Sequence, residues 1–244
     1  MNWWFFFAIL IIYIVVKRAD FVARVGHFRH ARGDNIGAVK AFAFADKIGN
    51  MHLNNKIAYG YLLLRTGDIN AANKVLTIVS MQAPVKKKTI KLRAKSMLAL
   101  VMWKRGDLDD AIETLEKVFA EYKSVIIYQS LGLMYLHKGE PNRALEFALE
   151  AYDYDDGNTI IIDNLAEAYV LNGNLEKAKE MYEKLFEMNP HFPEAYFGYG
   201  KLLIELGERE KGLELVKQSL DKPFTFLSSI TREQVENYLM SINI

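Results

Sequence analysis

The feature of the sequence that most limits its fold is a short motif that returns about every 34 residues. Each copy is a glycine followed by Asp, Asn or Glu, and the six glycines are Gly33, Gly67, Gly106, Gly139, Gly173 and Gly207. Their spacings are 34, 39, 33, 34 and 34 residues. A period of this size is typical of repeat proteins, in which each unit buries its apolar face only against its neighbours.

Small residues hold constant positions around these glycines. Five positions after each glycine stand Ala38, Ala72, Ala111, Ala144, Ala178 and Gly212. Seven positions before each glycine stand Gly26, Gly60, Ala99, Gly132, Ala166 and Gly200. Because two helices approach closely only where side chains are small, we predict that each repeat is a pair of helices crossing at these positions. The motif glycine then ends the first helix, and the polar residue beside it begins the second.

This pattern resembles the tetratricopeptide repeat family, most closely in NLAEAYVLNGNLEKAKEMYEKLFEMNP, residues 164–190. The resemblance implies an all-α fold, an α-solenoid of six helix-turn-helix repeats over residues 19–226. The six predicted repeats are residues 19–52, 53–86, 92–125, 125–158, 159–192 and 193–226. The interval of 39 residues places extra chain near residues 85–91. Gly212 and Phe224 depart from the family pattern in the last repeat, where such departures are expected.

Residues 227–244 are predicted to form a C-terminal capping helix. Thr231 and Gln234 have the spacing of a capping box. Val235, Tyr238 and Leu239 would then form the apolar stripe that packs on the last repeat.

The chain begins MNWWFFFAILIIYIVVKR, and residues 1–18 are predicted to be a transmembrane anchor. Fourteen apolar residues run without interruption to Val16. They reach only about 21 Å as a helix, against a hydrocarbon core of about 30 Å. Trp3 and Trp4 suit one membrane interface, and Lys17 and Arg18 can extend to the other. The segment lacks the cleavage pattern of a signal peptide. The alternative is a helix packed into the soluble core.

Charge predicts an orientation for such an anchor. Residues 1–124 hold 20 Lys and Arg against 10 Asp and Glu, a net charge of +10, whereas residues 125–244 carry −9. Basic residues follow the apolar run and none precedes it, so the positive-inside rule predicts an external N-terminus and cytoplasmic repeats. The chain has no cysteine, which excludes disulfides, thiolate metal sites and cysteine nucleophiles.

No catalytic or cofactor motif stands out, so we predict a non-enzyme without cofactor or metal. The sequence has no phosphate-binding glycine loop, no G-x-S-x-G and no H-E-x-x-H. His27 and His30 are three residues apart but lack further nearby ligands. The stretch DYDDGN, residues 153–158, lacks the closing glutamate of a calcium loop and is interpreted as a turn.

The resemblance also implies a binding surface. In this family the concave face comes from positions two, five, nine, twelve and thirteen of the first helix of each repeat. Carried over to this chain, these positions give the predicted apolar groove, which consists of Ile57, Tyr61, Leu64, Leu100, Trp103, Ile126, Leu133, Leu136, Ile160 and Val170. An apolar or amphipathic protein segment is the predicted ligand, although packing between helices would also explain these residues. The family's carboxylate clamp is not expected, because only Arg93 is basic among its positions.

A second candidate surface is a basic cluster at the long connection between repeats. Its members are Lys86, Lys87, Lys88, Lys91, Arg93 and Lys95. Anionic lipid headgroups are one predicted partner and a solvated loop is the alternative. Nucleic acid is not expected, since no interleaved aromatic residues or DNA-binding motif accompany the cluster.

Together these features predict a membrane-anchored scaffold or adaptor that recruits or assembles a membrane-associated complex. The alternative is a self-assembling structural protein, a homo-oligomer whose groove is filled by its own N-terminal helix or a neighbouring chain. The layout also resembles the lipopolysaccharide assembly family, which has a short anchor followed by cytoplasmic repeats. That family ends in a cysteine-rich metal domain, which a chain without cysteine cannot form.

Overall fold

In a computed structural model, residues 3–242 are described, apart from the side chain of Phe5. Residues 1–2 of the predicted anchor and 243–244 of the predicted cap lie outside them. Thirteen α-helices account for most of this range. They are α1 (Trp3–Ala31), α2 (Asn35–Ile48), α3 (Leu53–Arg65), α4 (Ile69–Gln82), α5 (Lys88–Arg105), α6 (Leu108–Phe119), α7 (Val125–Lys138), α8 (Pro141–Tyr154), α9 (Thr159–Leu171), α10 (Leu175–Glu187), α11 (Pro193–Glu205), α12 (Arg209–Ser219) and α13 (Arg232–Ile242).

The helices divide into two compact units, Met1–Arg105 and Gly106–Ile244. The division falls between α5 and α6, inside the third predicted repeat, residues 92–125. Within each unit, each helix packs against the next one along the chain, and five of the six predicted glycine turns join helices of the same unit. The core of each unit consists of aliphatic and aromatic side chains, of which Phe42 and Leu76 in the first unit and Leu115 and Tyr182 in the second are fully buried.

The crossing of α11 and α12 explains why the last repeat departs from alanine at Gly212. A Cβ on Gly212 would lie 2.5 Å from the carbonyl oxygen of Gly200, and a Cβ on Gly200 would lie 2.7 Å from that of Gly212. The two backbones therefore approach so closely that each helix needs a glycine at this point.

Polar residues after the motif glycines begin the second helices in three repeats. Asp34 accepts a hydrogen bond from the backbone N–H of Gly37 at 2.8 Å, and Asp68 and Asn174 cap α4 and α10 in the same way. Each bond satisfies a backbone donor that the first helical turn leaves without a partner. Pro141 occupies the first turn of α8, as its fixed φ allows.

The extra residues between the second and third repeats lengthen a helix. A 3₁₀ turn at Val85–Lys87 leads directly into α5, which has 18 residues where the other repeat helices after α1 have 11–14. The helix therefore begins at Lys88, four residues before the predicted repeat start at residue 92.

Helix α1 is continuous through 29 residues, from the apolar run into the first repeat. Its C-terminal part packs on α2, where Ala19 and Ala23 are fully buried. The large side chains described from Trp3 to Val16 are 48–86% exposed, so the alternative of a packed core helix is wrong. Across residues 3–242, none of the helices combines the length and the apolarity that crossing a membrane needs, so the predicted transmembrane helix has no support from the structure.

Helix α13 packs against α12 and α11 through Val235, which is fully buried, and through Tyr238, whose ring lies 5.4 Å from that of Phe197. The capping box is present as predicted. Thr231 N–H donates to Gln234 Oε1 at 2.7 Å, and Gln234 N–H donates to Thr231 Oγ1 at 3.1 Å.

Candidate functional site

In the first unit, three of the residues predicted to line a groove are part of the core. Ile57, Leu64 and Leu100 are only 4%, 0% and 7% exposed. They lie between packed helices, which removes them from any binding surface. Tyr61 and Trp103 are half-buried, with the Lys104 ammonium 4.0 Å from the centre of the Trp103 ring.

The predicted groove residues of the second unit remain accessible. Ile126 and Ile160 are exposed, and Leu133, Leu136 and Val170 are half-buried. Leu133 and Leu136, both on α7, form one wall of a cavity of about 210 Å³.

This cavity, called the second-unit cavity below, is bounded by α7, α9, α11 and the segment that precedes α13. Its lining residues are Leu133, Leu136, His137, Asp163, Asn164, Glu167, Glu194, Phe197, Lys201, Ser229 and Ile230. The lining combines apolar walls with three carboxylates. It therefore differs from the uniformly apolar groove that the sequence predicts.

Asp163 lies at the buried side of the cavity, on α9. It is 7% exposed, and its Oδ1 atom has no hydrogen-bond partner in the described structure. Burial raises the pKa of Asp163 well above its usual value, and the nearby charges of Glu167 and Glu194 raise it further. A buried polar atom without a hydrogen-bond partner is uncommon, because it has lost its hydrogen bonds to water and no bond within the protein replaces them.

Glu167 lies one turn further along α9, and a hydrogen bond from a core residue holds its side chain in place. The hydroxyl of Tyr182 on α10 donates to Glu167 Oε1 at 2.7 Å. This carboxylate has its space because residue 198 is glycine, where a Cβ would lie 2.3 Å from Glu167 Oε1. The bond leaves the other acceptor positions of the carboxylate for a ligand.

Glu194 stands in the first turn of α11. Its Oε1 atom accepts a hydrogen bond from the backbone N–H of Ser229 at 2.8 Å. That bond ties the segment before α13 to the cavity. Asn164, beside Asp163, donates to the backbone carbonyl of Gln129 on α7 at 3.0 Å, which joins two cavity walls.

Two basic side chains also line the cavity. Lys201 is exposed, and its ammonium lies 5.4 Å from the centre of the Phe197 ring. His137 is exposed at the end of α7. The acidic groups thus outnumber the basic groups, and the most deeply buried titratable group is the acidic Asp163.

The predicted basic cluster occupies the 3₁₀ turn and the first two turns of α5. Its lysines are exposed, whereas Arg93 is half-buried and donates to Asn54 Oδ1 at 3.2 Å. Arg18 of the predicted anchor likewise donates to the backbone carbonyl of Ile48 at 3.0 Å, and Lys17 forms a 3.5 Å salt bridge with Asp20. These contacts tie Arg18 and Lys17 to the first repeat.

The two histidines of α1, His27 and His30, are engaged in hydrogen bonds. His27 Nε2 lies 3.0 Å from Asn55 Oδ1, and His30 Nδ1 lies 2.8 Å from Asn35 Oδ1. Over residues 3–242, no group of three or more His, Cys, Asp or Glu side chains is placed to hold a metal ion.

The groove predicted from the sequence leaves out the acidic part of the cavity, although the acidic residues occupy inner-face positions of their repeats. Asp163 and Glu167 occupy positions five and nine of the fifth predicted repeat, and Glu194 occupies position two of the sixth. The predicted groove contains only apolar residues, so it leaves these three acidic residues out. A further signal is that Asp163 and Asn164 interrupt the otherwise apolar stretch of residues 160–165.

The sequence matches known proteins over about half of its length. Profiles described as tetratricopeptide repeat match residues 96–159 and 173–223. The chain is 29% identical over 126 residues to the TPR repeat-containing protein YvcD of Bacillus subtilis (strain 168), covering 51% of this chain and 25% of that protein. It is 30% identical over 122 residues to the Photosystem I assembly protein Ycf3 of Synechococcus sp. (strain CC9605), and the match covers 46% of this chain and 70% of that protein. The chain therefore spans only a quarter of the first relative.

The fold is similar to that of a tetratricopeptide repeat protein from Parabacteroides merdae ATCC 43184, with a TM-score of 0.70 over 92% of this chain and 84% of that one. Sequence identity is 14%, so this likeness concerns the fold alone. It confirms the predicted all-α, TPR-like solenoid. The profile matches, the fold and the 30% identical relative together show that the chain belongs to the tetratricopeptide repeat family.

Proposed function

We propose that this protein is a non-catalytic scaffold that binds a protein partner in the second-unit cavity and helps to assemble a complex. Proteins of the tetratricopeptide repeat family generally bind other proteins. The observation that supports this cavity as the binding site is its combination of accessible apolar walls with a buried carboxyl oxygen, Oδ1 of Asp163, that has no hydrogen-bond partner. The name of the Ycf3 relative, an assembly protein, favours a role in assembly.

The test is capture of partners by the full chain, expressed in cells and extracted in detergent. Leu133→Glu places a charge on the cavity wall, and we expect it to abolish capture. The matched control is Leu149→Glu, which changes an exposed leucine on α8 outside the cavity lining. Equal capture by both variants would count against the cavity as the binding site.

We propose further that the apolar part of α1 inserts into a membrane. The support is the exposure of the large apolar side chains described from Trp3 to Val16, since so many exposed apolar side chains on one helix are unusual in water. Burying this surface in lipid would be favourable by about 25 cal/mol per Å². The basic cluster on α5 is proposed to contact anionic headgroups, at about 1 kcal/mol per residue near the surface.

Flotation of the full chain with lipid vesicles tests this proposal. Replacing Ile11 and Ile12 with lysine is expected to leave the chain at the bottom of the gradient. The control, Ile36→Lys with Val85→Lys, adds the same charge at exposed apolar residues outside this stretch and is expected to float. If the chain with lysines at 11 and 12 also floats, the apolar stretch is not what holds it to lipid.

The orientation proposed for the membrane-bound chain keeps the repeats in the cytoplasm, as the basic flank of α1 favours. A second candidate function is self-assembly. The exposure of α1 argues against the form in which a chain's own N-terminal helix fills its groove. The opposite charges of the two halves favour the form in which a neighbouring chain does so, and a single monomer mass by light scattering would contradict it.

A further inference from the structure

We propose that the second-unit cavity binds the cationic end of a lysine or arginine side chain from the partner, with Asp163 as its main acceptor and Glu167 and Glu194 beside it. This inference rests on the proposed function and specifies the chemistry of the partner. It follows from four features of the cavity.

The first feature is the unsatisfied atom. Asp163 is more than nine-tenths buried, lines the cavity and leaves Oδ1 without a hydrogen-bond partner. A carboxylate in this position is unfavourable in the empty protein. An ammonium or guanidinium group would supply both a donor and the opposite charge, and so remove the penalty.

The second feature is the rigidity of the neighbouring carboxylates. Tyr182 holds Glu167, and the backbone of Ser229 holds Glu194. Each bond uses one acceptor position and leaves others open, because a carboxylate can accept about four hydrogen bonds. A guest cation would therefore meet groups that are already in place, which reduces the entropy lost on binding.

The third feature is the placement of charge. The cavity has three carboxylates, and the basic groups that share it, Lys201 and His137, are both exposed. A solvated ammonium is screened by water and compensates a buried carboxylate poorly. The buried side of the cavity thus keeps a negative potential that favours a cation.

The fourth feature is size and shape. At about 210 Å³ the cavity is smaller than the roughly 300–1,000 Å³ typical of small-molecule sites. It suits one side chain better than a cofactor. Leu133, Leu136 and Phe197 offer an apolar surface for the methylene stem of a lysine or arginine, whose charged head would lie at Asp163.

The test uses side-chain mimics and the full chain in detergent, followed by NMR. Propylguanidinium and butylammonium chlorides are titrated into protein labelled with ¹³C at aspartate carboxyl carbons and with ¹⁵N. Sodium chloride at equal ionic strength and calcium chloride are the controls. We expect a saturable shift of the Asp163 carboxyl carbon and of the Ser229 amide with the organic cations only. The pKa of Asp163 should fall in the bound state, because a neighbouring cation favours the ionised carboxylate.

Variants then separate this site from general attraction to an acidic surface. With the Ser229 amide as reporter, Asp163→Asn is expected to weaken binding of the mimics at least about tenfold. Glu194→Gln is expected to weaken it less, and Glu180→Gln, an exposed glutamate on α10, should leave it unchanged. Equal effects of Asp163→Asn and Glu180→Gln, no saturable shift, or an equal response to calcium would each overturn the proposal.

The outcome is separable from that of the proposed function. If the mimics bind at Asp163 but no partner is captured through the cavity, the cation site stands and the scaffold proposal fails. If a partner is captured equally well by the Asp163→Asn chain, the scaffold stands and the cation site is overturned.

Discussion

The hydroxyl of Tyr182 donates to Glu167 at 2.7 Å and so joins the core of the second unit to its cavity. Tyr182 is fully buried on α10, whereas Glu167 is half-buried on α9 and lines the cavity. The carboxylate cannot turn away without leaving the tyrosine unpaired. Burial and the charge of Glu167 raise the pKa of Tyr182 well above its usual value, so the hydroxyl remains a donor at neutral pH.

Tyr182→Phe removes this donor and keeps the ring. We expect the free energy of unfolding to fall by about 1.5–3 kcal/mol, the range for hydrogen bonds to charged groups. Urea denaturation measures it. The matched control is Tyr154→Phe, at an exposed ring on α8, which should change little. Similar losses in both variants would show that the bond to Glu167 contributes nothing specific.

Asp163→Asn should stabilise the protein at neutral pH while it weakens ligand binding. The substitution removes a carboxyl group whose ionised form is disfavoured by burial and by repulsion from Glu167 and Glu194, and we expect a gain on the order of 1 kcal/mol. Stability gained at the expense of binding is typical of groups retained for function. A loss of stability would indicate instead that Asp163 is a structural residue.

The raised pKa of the Asp163 carboxyl group makes the stability of the protein depend on pH. Its pKa is well above 3.8 in the folded chain and near that value in the unfolded chain, so the folded state binds the proton more tightly. The contribution of Asp163 is therefore fully present below about pH 4 and is lost as pH rises through the folded pKa. Unfolding measured from pH 4 to pH 8 should show this decline in the wild type, and the decline should be smaller in Asp163→Asn. Parallel curves of stability against pH for the two proteins would contradict this prediction.

Glu208 shows the opposite behaviour. It accepts hydrogen bonds from Lys179 at 2.6 Å and Lys211 at 2.7 Å, and these lower its pKa to about 2. Its stabilising contribution is present above its usual pKa of 4.5 and is lost as pH falls through about 2. Carboxyl ¹³C NMR should give a midpoint near 2 that rises in Lys179→Met. A midpoint near 4.5 in the wild type would show that the hydrogen bonds from Lys179 and Lys211 to Glu208 do not form in solution.

Gly212→Ala restores the residue that the other repeats carry at this position, yet we expect it to destabilise the protein. Alanine favours a helix by about 1 kcal/mol, but its Cβ would meet the backbone oxygen of Gly200, which cannot move aside. The net loss should be about 1–2 kcal/mol. Gly157→Ala is the control, because a Cβ there meets only Asp155 at 3.7 Å, and its effect should stay within about 0.5 kcal/mol.

The fold could be predicted from the sequence because it depends on local rules that repeat. The glycine period, the small residues at the crossings and the Thr231–Gln234 capping box each need only neighbouring residues. The start of α5 was less predictable, since the inserted residues after Ala83 extend an existing helix instead of forming a loop.

The candidate site could be predicted only in part, for a physical reason. Whether an inner-face residue is open or buried depends on how closely its neighbours pack, and this separates Leu64 and Leu100 from Leu133 and Leu136. The sequence does not show which carboxylates obtain partners. Glu167 has Tyr182, whereas Asp163, one turn earlier on the same helix, has an oxygen without one.

The central claim is that the second-unit cavity holds the partner. Photocrosslinking in cells tests it most directly, with a benzoylphenylalanine in place of Leu136 on the cavity wall and, as control, in place of Leu149. We predict one discrete adduct from position 136 and none from 149. That adduct should be lost in Asp163→Asn and retained in Glu180→Gln. The same adducts from both positions, or an adduct from 136 that survives Asp163→Asn undiminished, would contradict the account.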